Sequence, residues 1–172
     1  MNITLVPYVI VNDKFTVTDD ELLSIYNQLK EEKLLDKIFY HTPMDENDFV
    51  LYLKTFDNRF FFTIVDNEVI GFSWLNKFEC NTARVHQVFF KSGWGDKAEA
   101  AAKFGLNYFL HLKDLEGKYI LDTLVGITPK PNRLAVKFAE KVGMNIVGEI
   151  PNICYLYKHN KTVPGVLSYI TR

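Results

Sequence analysis

The hydrophobic positions change period about a third of the way along the chain. The first stretch, Ile3 to Val11, alternates loosely and is rich in β-branched residues, which predicts a strand. Thr18-Asp19-Asp20-Glu21 then has the pattern of a capping box, in which the Thr18 hydroxyl and the Glu21 carboxylate satisfy orphan N–H groups. Leu22, Ile25, Tyr26 and Leu29 follow at helical spacing, so a helix is expected to about Lys33. A shorter helix is expected from Asp45, with Phe49, Leu53 and Phe56 on one face. From Arg59 the period falls to two. Phe60 to Val65, a tight turn at Asp66-Asn67-Glu68 and Val69 to Leu75 read as a hairpin, and Ala83 to Phe90 as a third strand. Because Phe60-Phe61-Phe62 alternate across a strand, both faces of the sheet should be covered there. The remainder alternates in type: a helix over Asp96–Leu112, a strand over Tyr119–Ile127, a helix over Asn132–Val142, then strands near Met144–Ile150 and Ile153–Lys158. Asn160 to Arg172 reads as a loop and a short docked extension. Antiparallel strands followed by alternating helices and strands predict a mixed α/β (α+β) sheet with helices on its faces. No repeat, low-complexity tract or linker divides the chain, so residues 1–172 are expected to form one domain.

Composition narrows the function classes. The chain has 172 residues, 48% of them hydrophobic, which is enough to bury a core. Twenty basic and 21 acidic side chains leave a net charge of -1, so no counterion-displacing basic surface for nucleic acid is expected. No apolar run is long enough to span a membrane, and Met1-Asn2-Ile3-Thr4 opens no secretion signal. Cys80 and Cys154 have no metal or redox spacing and are expected to be reduced thiols in a cytoplasmic setting. The histidines have no metal-like spacing either. The outlying feature is the 15% aromatic content, which suits a core, a ligand cleft or an interface equally well.

Two segments carry candidate chemistry. In the first, the Ala83–Phe90 strand runs through Lys91-Ser92-Gly93-Trp94-Gly95-Asp96 into a helix. A glycine turn at a helix N-terminus exposes backbone N–H groups to an anion. The same glycines also serve a tight turn, and Asp96-x-x-Glu99 can itself cap the helix, which would put an acidic side chain where a phosphate would bind. In the second, a strand ends at Thr128-Pro129-Lys130-Pro131 and Asn132 opens an amphipathic helix. Leu134, Ala135, Phe138 and Val142 form its expected buried stripe, and Gly143 stops it.

In this order, the Val69-Ile70-Gly71 hairpin, the strand–Gly-x-Gly–helix unit and Asn132-x-x-Ala135-x-x-Phe138-x-x-Lys141-x-Gly143-Met144 resemble the GCN5-related N-acetyltransferase (GNAT) superfamily. The resemblance runs from about Arg59 to Lys158. It implies a mostly antiparallel sheet of about seven strands flanked by about four helices, and direct acyl transfer from acetyl-CoA to an amine. It further implies that the pantetheine arm pairs with backbone at Val88, Phe89 and Phe90, near Lys91. The pyrophosphate would lie on the N–H groups of Gly93, Trp94, Gly95, Asp96, Lys97 and Ala98, and Asn132 near the thiol end. His86, on the strand flanking the thioester, is the candidate general base, since an imidazole of pKa about 6.5 suits proton transfer.

The chain departs from the family at two points. The tyrosine that usually protonates the leaving thiolate falls at Ala139, and the glycine loop is reduced. These departures support an alternative from a different class: a degenerate GNAT-fold binding or assembly protein, for example a phage virion or head-assembly component, with a homodimer or protein partner. An open V between the strands ending at Phe90 and Ile127 would favour the enzyme; aromatic rings plugging it would favour the binding protein.

Overall fold

The computed structural model describes residues 1–55 and 57–172, so the expected place of Phe56 on a helix face lies outside the described residues. The capping box forms as its spacing predicts. Thr18 N–H donates to Glu21 Oε2 at 2.7 Å and Glu21 N–H donates to the Thr18 hydroxyl at 3.3 Å, opening α1 (Asp19–Glu31). Leu22, Tyr26 and Leu29 form its buried face. A four-residue helix not expected from the pattern, α2 (Leu35–Ile38), follows, and α3 (Glu46–Lys54) is capped by Asp45.

The strands are β1 (Ile3–Pro7), β2 (Ile10–Val11), β3 (Lys14–Phe15), β4 (Arg59–Val65), β5 (Glu68–Glu79), β6 (Thr82–Phe89), β7 (Thr123–Pro129), β8 (Asn145–Leu156) and β9 (Lys161–Thr171). Seven of them make one sheet in the order β1-β4-β5-β6-β7-β9-β8. Every neighbouring pair is antiparallel except β6–β7. The remaining helices are α4 (Asp96–Leu110) and α5 (Arg133–Lys141).

Four expectations from the pattern are corrected. The first strand breaks after Pro7, and Ile10–Val11 turns back on Lys14–Phe15 because Asn12 and Asp13 both take positive φ. Tyr119 only bridges Lys113, and β7 begins later, at Thr123. Met144–Ile150 and Ile153–Lys158 join as the single strand β8, whose register slips between Ile150 and Cys154 where Asn152 has φ 54°. The largest correction concerns Asn160–Arg172, which is no extension: as β9 it sits between β7 and β8 and pairs with both. Pro164-Gly165 hides this strand in the sequence, since both residues disfavour strand interiors. Gly165 is there because space demands it. A Cβ would lie 2.5 Å from Ile153 Cγ2 and 2.9 Å from both Cys154 Sγ and Ile127 Cγ2.

Each face of the sheet carries its own core. Phe61, Val85, Phe89 and Leu124 pack under α4 and α5, while Phe60, Phe62, Phe72, Trp74 and Phe90 pack under α1–α3. The Phe60–Phe62 run therefore feeds both cores, as its alternation requires. In α4, Ala98, Ala101 and Ala102 are buried, and their small side chains let the helix approach the sheet closely. The stripe of α5 is narrower than expected: Leu134 is 76% exposed, because it stands in the first turn beside the cleft described below.

Replacing Gly165 with Val should destabilise the fold by about 1–3 kcal/mol through overpacking, read as a lower urea midpoint at unchanged m-value. A neutral effect would mean that β9 is not an inner strand.

Candidate active-site cleft

β6 and β7 pair only at Thr82 with Thr123, Ala83 with Leu124 and Arg84 with Val125. Beyond that point β6 stays on β5 as far as Phe89, and β7 stays on β9 as far as Pro129. The two halves of the sheet diverge into an open V holding a cleft of about 460 Å³. Val85, Gln87, Gly126, Thr128, Phe138 and Ala139 are among its walls.

Strand geometry decides which backbone groups face the gap, because successive residues turn their amides to opposite edges. Phe90 N–H donates to the Ile70 carbonyl at 2.8 Å, and the Val88 carbonyl lies against Gly71, so close that a Cβ there would collide with it. Within Val88–Phe90, only Phe89 therefore turns its amide into the cleft, and Gln87 joins it. The Phe89 carbonyl already accepts from Trp94 Nε1 at 2.9 Å. Trp94 is 51% exposed and stands at the mouth.

The glycine turn is built differently from a capping box. Lys91 N–H donates to Glu32 Oε2 at 2.7 Å, and Gly93 packs on Ile70, where a Cβ would be 2.8 Å from the Ile70 Cβ. Gly95, at φ 89°, is the N-cap of α4, and Asp96 is the first helical residue, not the cap. No side chain caps this helix, so its first-turn N–H groups are left open, with Gly95 and Ala98 lining the cleft. The Glu99 carboxylate instead bonds Lys103 at 2.7 Å and Lys141 at 2.6 Å, which hold its pKa down at about 2. That arrangement removes one acidic group from competition with an anion at the helix end. Lys97 Nζ pairs with Glu68 at 3.3 Å, and Lys91 and Asp96 are exposed.

On the opposite wall Asn132 is the N-cap of α5, its Oδ1 accepting from Ala135 N–H at 3.4 Å. Phe138 meets Phe89 edge-on with 5.9 Å between centroids. Ala139 lines the same wall, together with buried Ser168, whose hydroxyl lies 3.5 Å from the Gly126 carbonyl. Ser168 carries no sequence signal of its own, because Pro164-Gly165 masks the strand that holds it.

His86 faces the α1–α3 side of the V. Its ring stacks on Trp74 at 4.3 Å with a 3° interplanar angle. His86 Nε2 is 3.2 Å from Asn76 Oδ1, and Asn76 Nδ2 donates to Asn58 Oδ1 at 3.1 Å. This chain assigns the proton to Nε2 and leaves Nδ1 as an acceptor. Burial, then Arg84 and His41, lower the imidazole pKa to about 3. The ring is neutral at neutral pH and is a weak base there. Leu34, Lys37 and Ile38 complete this side of the cleft, none of them marked by a sequence motif.

Followed by NMR, the His86 ring should stay neutral down to about pH 4 and titrate near 3. Its folded pKa lies below the unfolded value, so the stability linked to it is complete above about pH 6.5 and is lost as pH falls towards 3. A ring that titrates near 6.5 would contradict this environment.

No protein-family model and no curated protein sequence matches the chain. Solved structures do match it in three dimensions. Spermidine N-acetyltransferase from Vibrio cholerae, in complex with CoA and spermine, superposes with a TM-score of 0.72 at 15% identity, over 98% of this chain and 95% of that one. The microcin C7 self-immunity acetyltransferase MccE, in complex with acetyl-CoA and AMP, gives 0.72 at 12% identity, over 99% and 92%. The ribosomal L7/L12 alpha-N-protein acetyltransferase RimL gives 0.73 at 10% identity, over 99% and 95%. The chain has the GNAT acetyltransferase fold over nearly its whole length, at only 10–15% identity to these three structures.

Proposed function

We propose that the protein is an acetyl-CoA-dependent N-acetyltransferase with an amine acceptor. The observation that carries this reading is the parting of β6 and β7 after Arg84 and Val125, which leaves an open slot between two strand edges. Its volume falls within the range of small-molecule sites. Three features fit CoA. The Gln87 and Phe89 amides offer an extended arm a strand edge to pair with. The uncapped first turn of α4 offers N–H groups and the positive end of a helix dipole to a pyrophosphate. Gly95 has nothing within 4 Å of where a Cβ would be, so phosphates can approach the backbone. That CoA is bound in the structurally similar spermidine N-acetyltransferase and acetyl-CoA in MccE supports the same choice.

Acetyl-CoA would supply an activated acyl group: the amine nitrogen forms the new C–N bond, the C–S bond breaks, and CoA leaves as the thiolate. In this chain Gly95, Asp96, Lys97 and Ala98 N–H would hold the pyrophosphate, with Gly93, Trp94 and exposed Lys91 beside them. Asn132 Oδ1 serves the helix, and its Nδ2, which donates to nothing among the described residues, would face the ligand. His86, too weak a base to take an ammonium proton at neutral pH, would accept a hydrogen bond at Nδ1 and orient the amine. The amine would then enter deprotonated, losing its proton to water. With Ala139 in place of a phenol, the thiolate would take its proton from solvent. The partner-binding alternative needed aromatic rings to plug the V. Phe89 and Phe90 are instead buried in the two cores and Trp94 stands at the mouth, which favours the enzyme.

Acetyl-CoA at a hundred times its Kd should stabilise the protein by about 2.7 kcal/mol in thermal shift, and no shift at millimolar concentration would defeat the proposal. Gly95→Glu should abolish that shift while the variant still folds. Asn132→Ala should weaken cofactor affinity more than stability. The kcat/KM profile should rise with the acceptor's own ammonium pKa, with no inflection near pH 6.5 from His86.

A further inference from the structure

The charge lining the cleft is one-sided. None of its lining residues is Asp or Glu, and Lys37 is the charged one. Just behind this lining, at the last β6–β7 pair, Arg84 points to the same sheet face as His86, because the two are two residues apart on β6. Arg84 is half-buried, and its guanidinium makes no hydrogen bond or ion pair among the described residues. Its electrostatic neighbours are the phenols of Tyr40 and Tyr52, the Cys154 thiol and the His86 imidazole. All four are neutral: burial raises the pKa of both phenols and the thiol and lowers that of the imidazole. No carboxylate acts on any of them. On the helices of this face, Asp36 pairs with Lys158 at 2.7 Å and Glu32 accepts from the Lys91 N–H, while Glu79, opposite Thr82 two residues away on β6, makes no ion pair with Arg84.

A guanidinium taken partly out of water with only neutral groups around it lacks the partner that would offset its desolvation. Its fork geometry matches carboxylate and phosphate oxygens. Such a site repels a polycation. We infer that the amine acceptor carries an anionic group, a carboxylate or a phosphate, which docks on Arg84 at the closed end of the V, with Lys37 drawing it in at the rim. The amine then lies towards His86 and the strand edges, where acyl transfer would occur. This rests on the N-acetyltransferase reading, and it restricts the acceptor class to amino acids, aminoalkyl phosphates and molecules ending in such groups.

The test is calorimetric binding to CoA-loaded protein of β-alanine, phosphoethanolamine, their neutral counterparts β-alaninamide and ethanolamine, and a polyamine. The anionic amines should bind at least about tenfold more tightly than the neutral ones, and the tighter of the two identifies the anion. Arg84→Gln should erase this difference, and Arg84→Lys should restore part of it; CoA thermal shift checks that each variant is folded. Normal CoA binding with equal affinities, with no anionic amine bound at millimolar concentration, or with the polyamine preferred overturns the anionic acceptor and leaves acetyl transfer standing. Arg84-dependent anion binding by a protein that does not bind CoA defeats acetyl transfer and keeps the anion site. Loss of both defeats both.

Discussion

The parallel pairing of β6 with β7 ends after Arg84 and Val125, and the rest of the molecule is organised around that short seam. On either side the strands are tied antiparallel to their outer neighbours, β6 to β5 and β7 to β9. Each half-sheet follows its own twist, and a seam of so few residues cannot hold the two in register. The consequence is chemical. Two strand edges within one domain carry amides that no strand satisfies, and such groups are costly unless water or a ligand meets them. A cleft of this kind suits a long, flexible molecule with amide groups of its own.

The two cores keep the V open. Under α1–α3, Phe39, Phe60 and Phe72 each stack on Trp74 at 5.3–6.0 Å, which locks β4 and β5, and His86 lies flat on the same indole. Under α4 and α5, alanines let the helix lie close on the sheet, and Glu99 ties α4 to Lys141 of α5 across the cleft. The far end of the β8–β9 hairpin is joined to the α2 region by Tyr157 N–H donating to the Tyr40 carbonyl and by Lys158 pairing with Asp36. Phe89 and Phe90 show how alternation shares the work: their rings enter opposite cores, while one amide faces the cleft and the next faces β5. The high aromatic content is thus mostly a core property, and Trp94 alone of these rings is spent at the cleft mouth.

Electrostatics inside the cleft follow from which charges are already paired. Of the two acids in the first turn of α4, Glu99 is neutralised by two lysines and Asp96 stays exposed. Lys97 leans on Glu68, and Glu32 holds the turn through a backbone N–H. The cleft lining itself holds no carboxylate, and its charged residue is Lys37. The lining therefore does not oppose an anion, and burial keeps its one imidazole neutral.

Local sequence determined the pieces that local physics controls. Thr18 with Glu21 set the start of α1, Asp66 and Asn67 supplied the positive φ of the β4–β5 turn, Gly143 ended α5, and the Phe60–Phe62 alternation committed the sheet to two covered faces. The order of these segments was also enough to suggest the fold. The tertiary structure decided what depends on partners distant in sequence. Pro164 and Gly165 look like a loop until Ile127 and Ile153 are seen crowding the space a side chain would need. Asp96 looks like a cap until Gly95 takes that place, and His86 looks like a base until Trp74, Arg84 and burial are around it. Turns and caps are fixed by groups a few residues apart, whereas strand insertion, desolvation and charge pairing are set by contacts that exist only once the chain is folded.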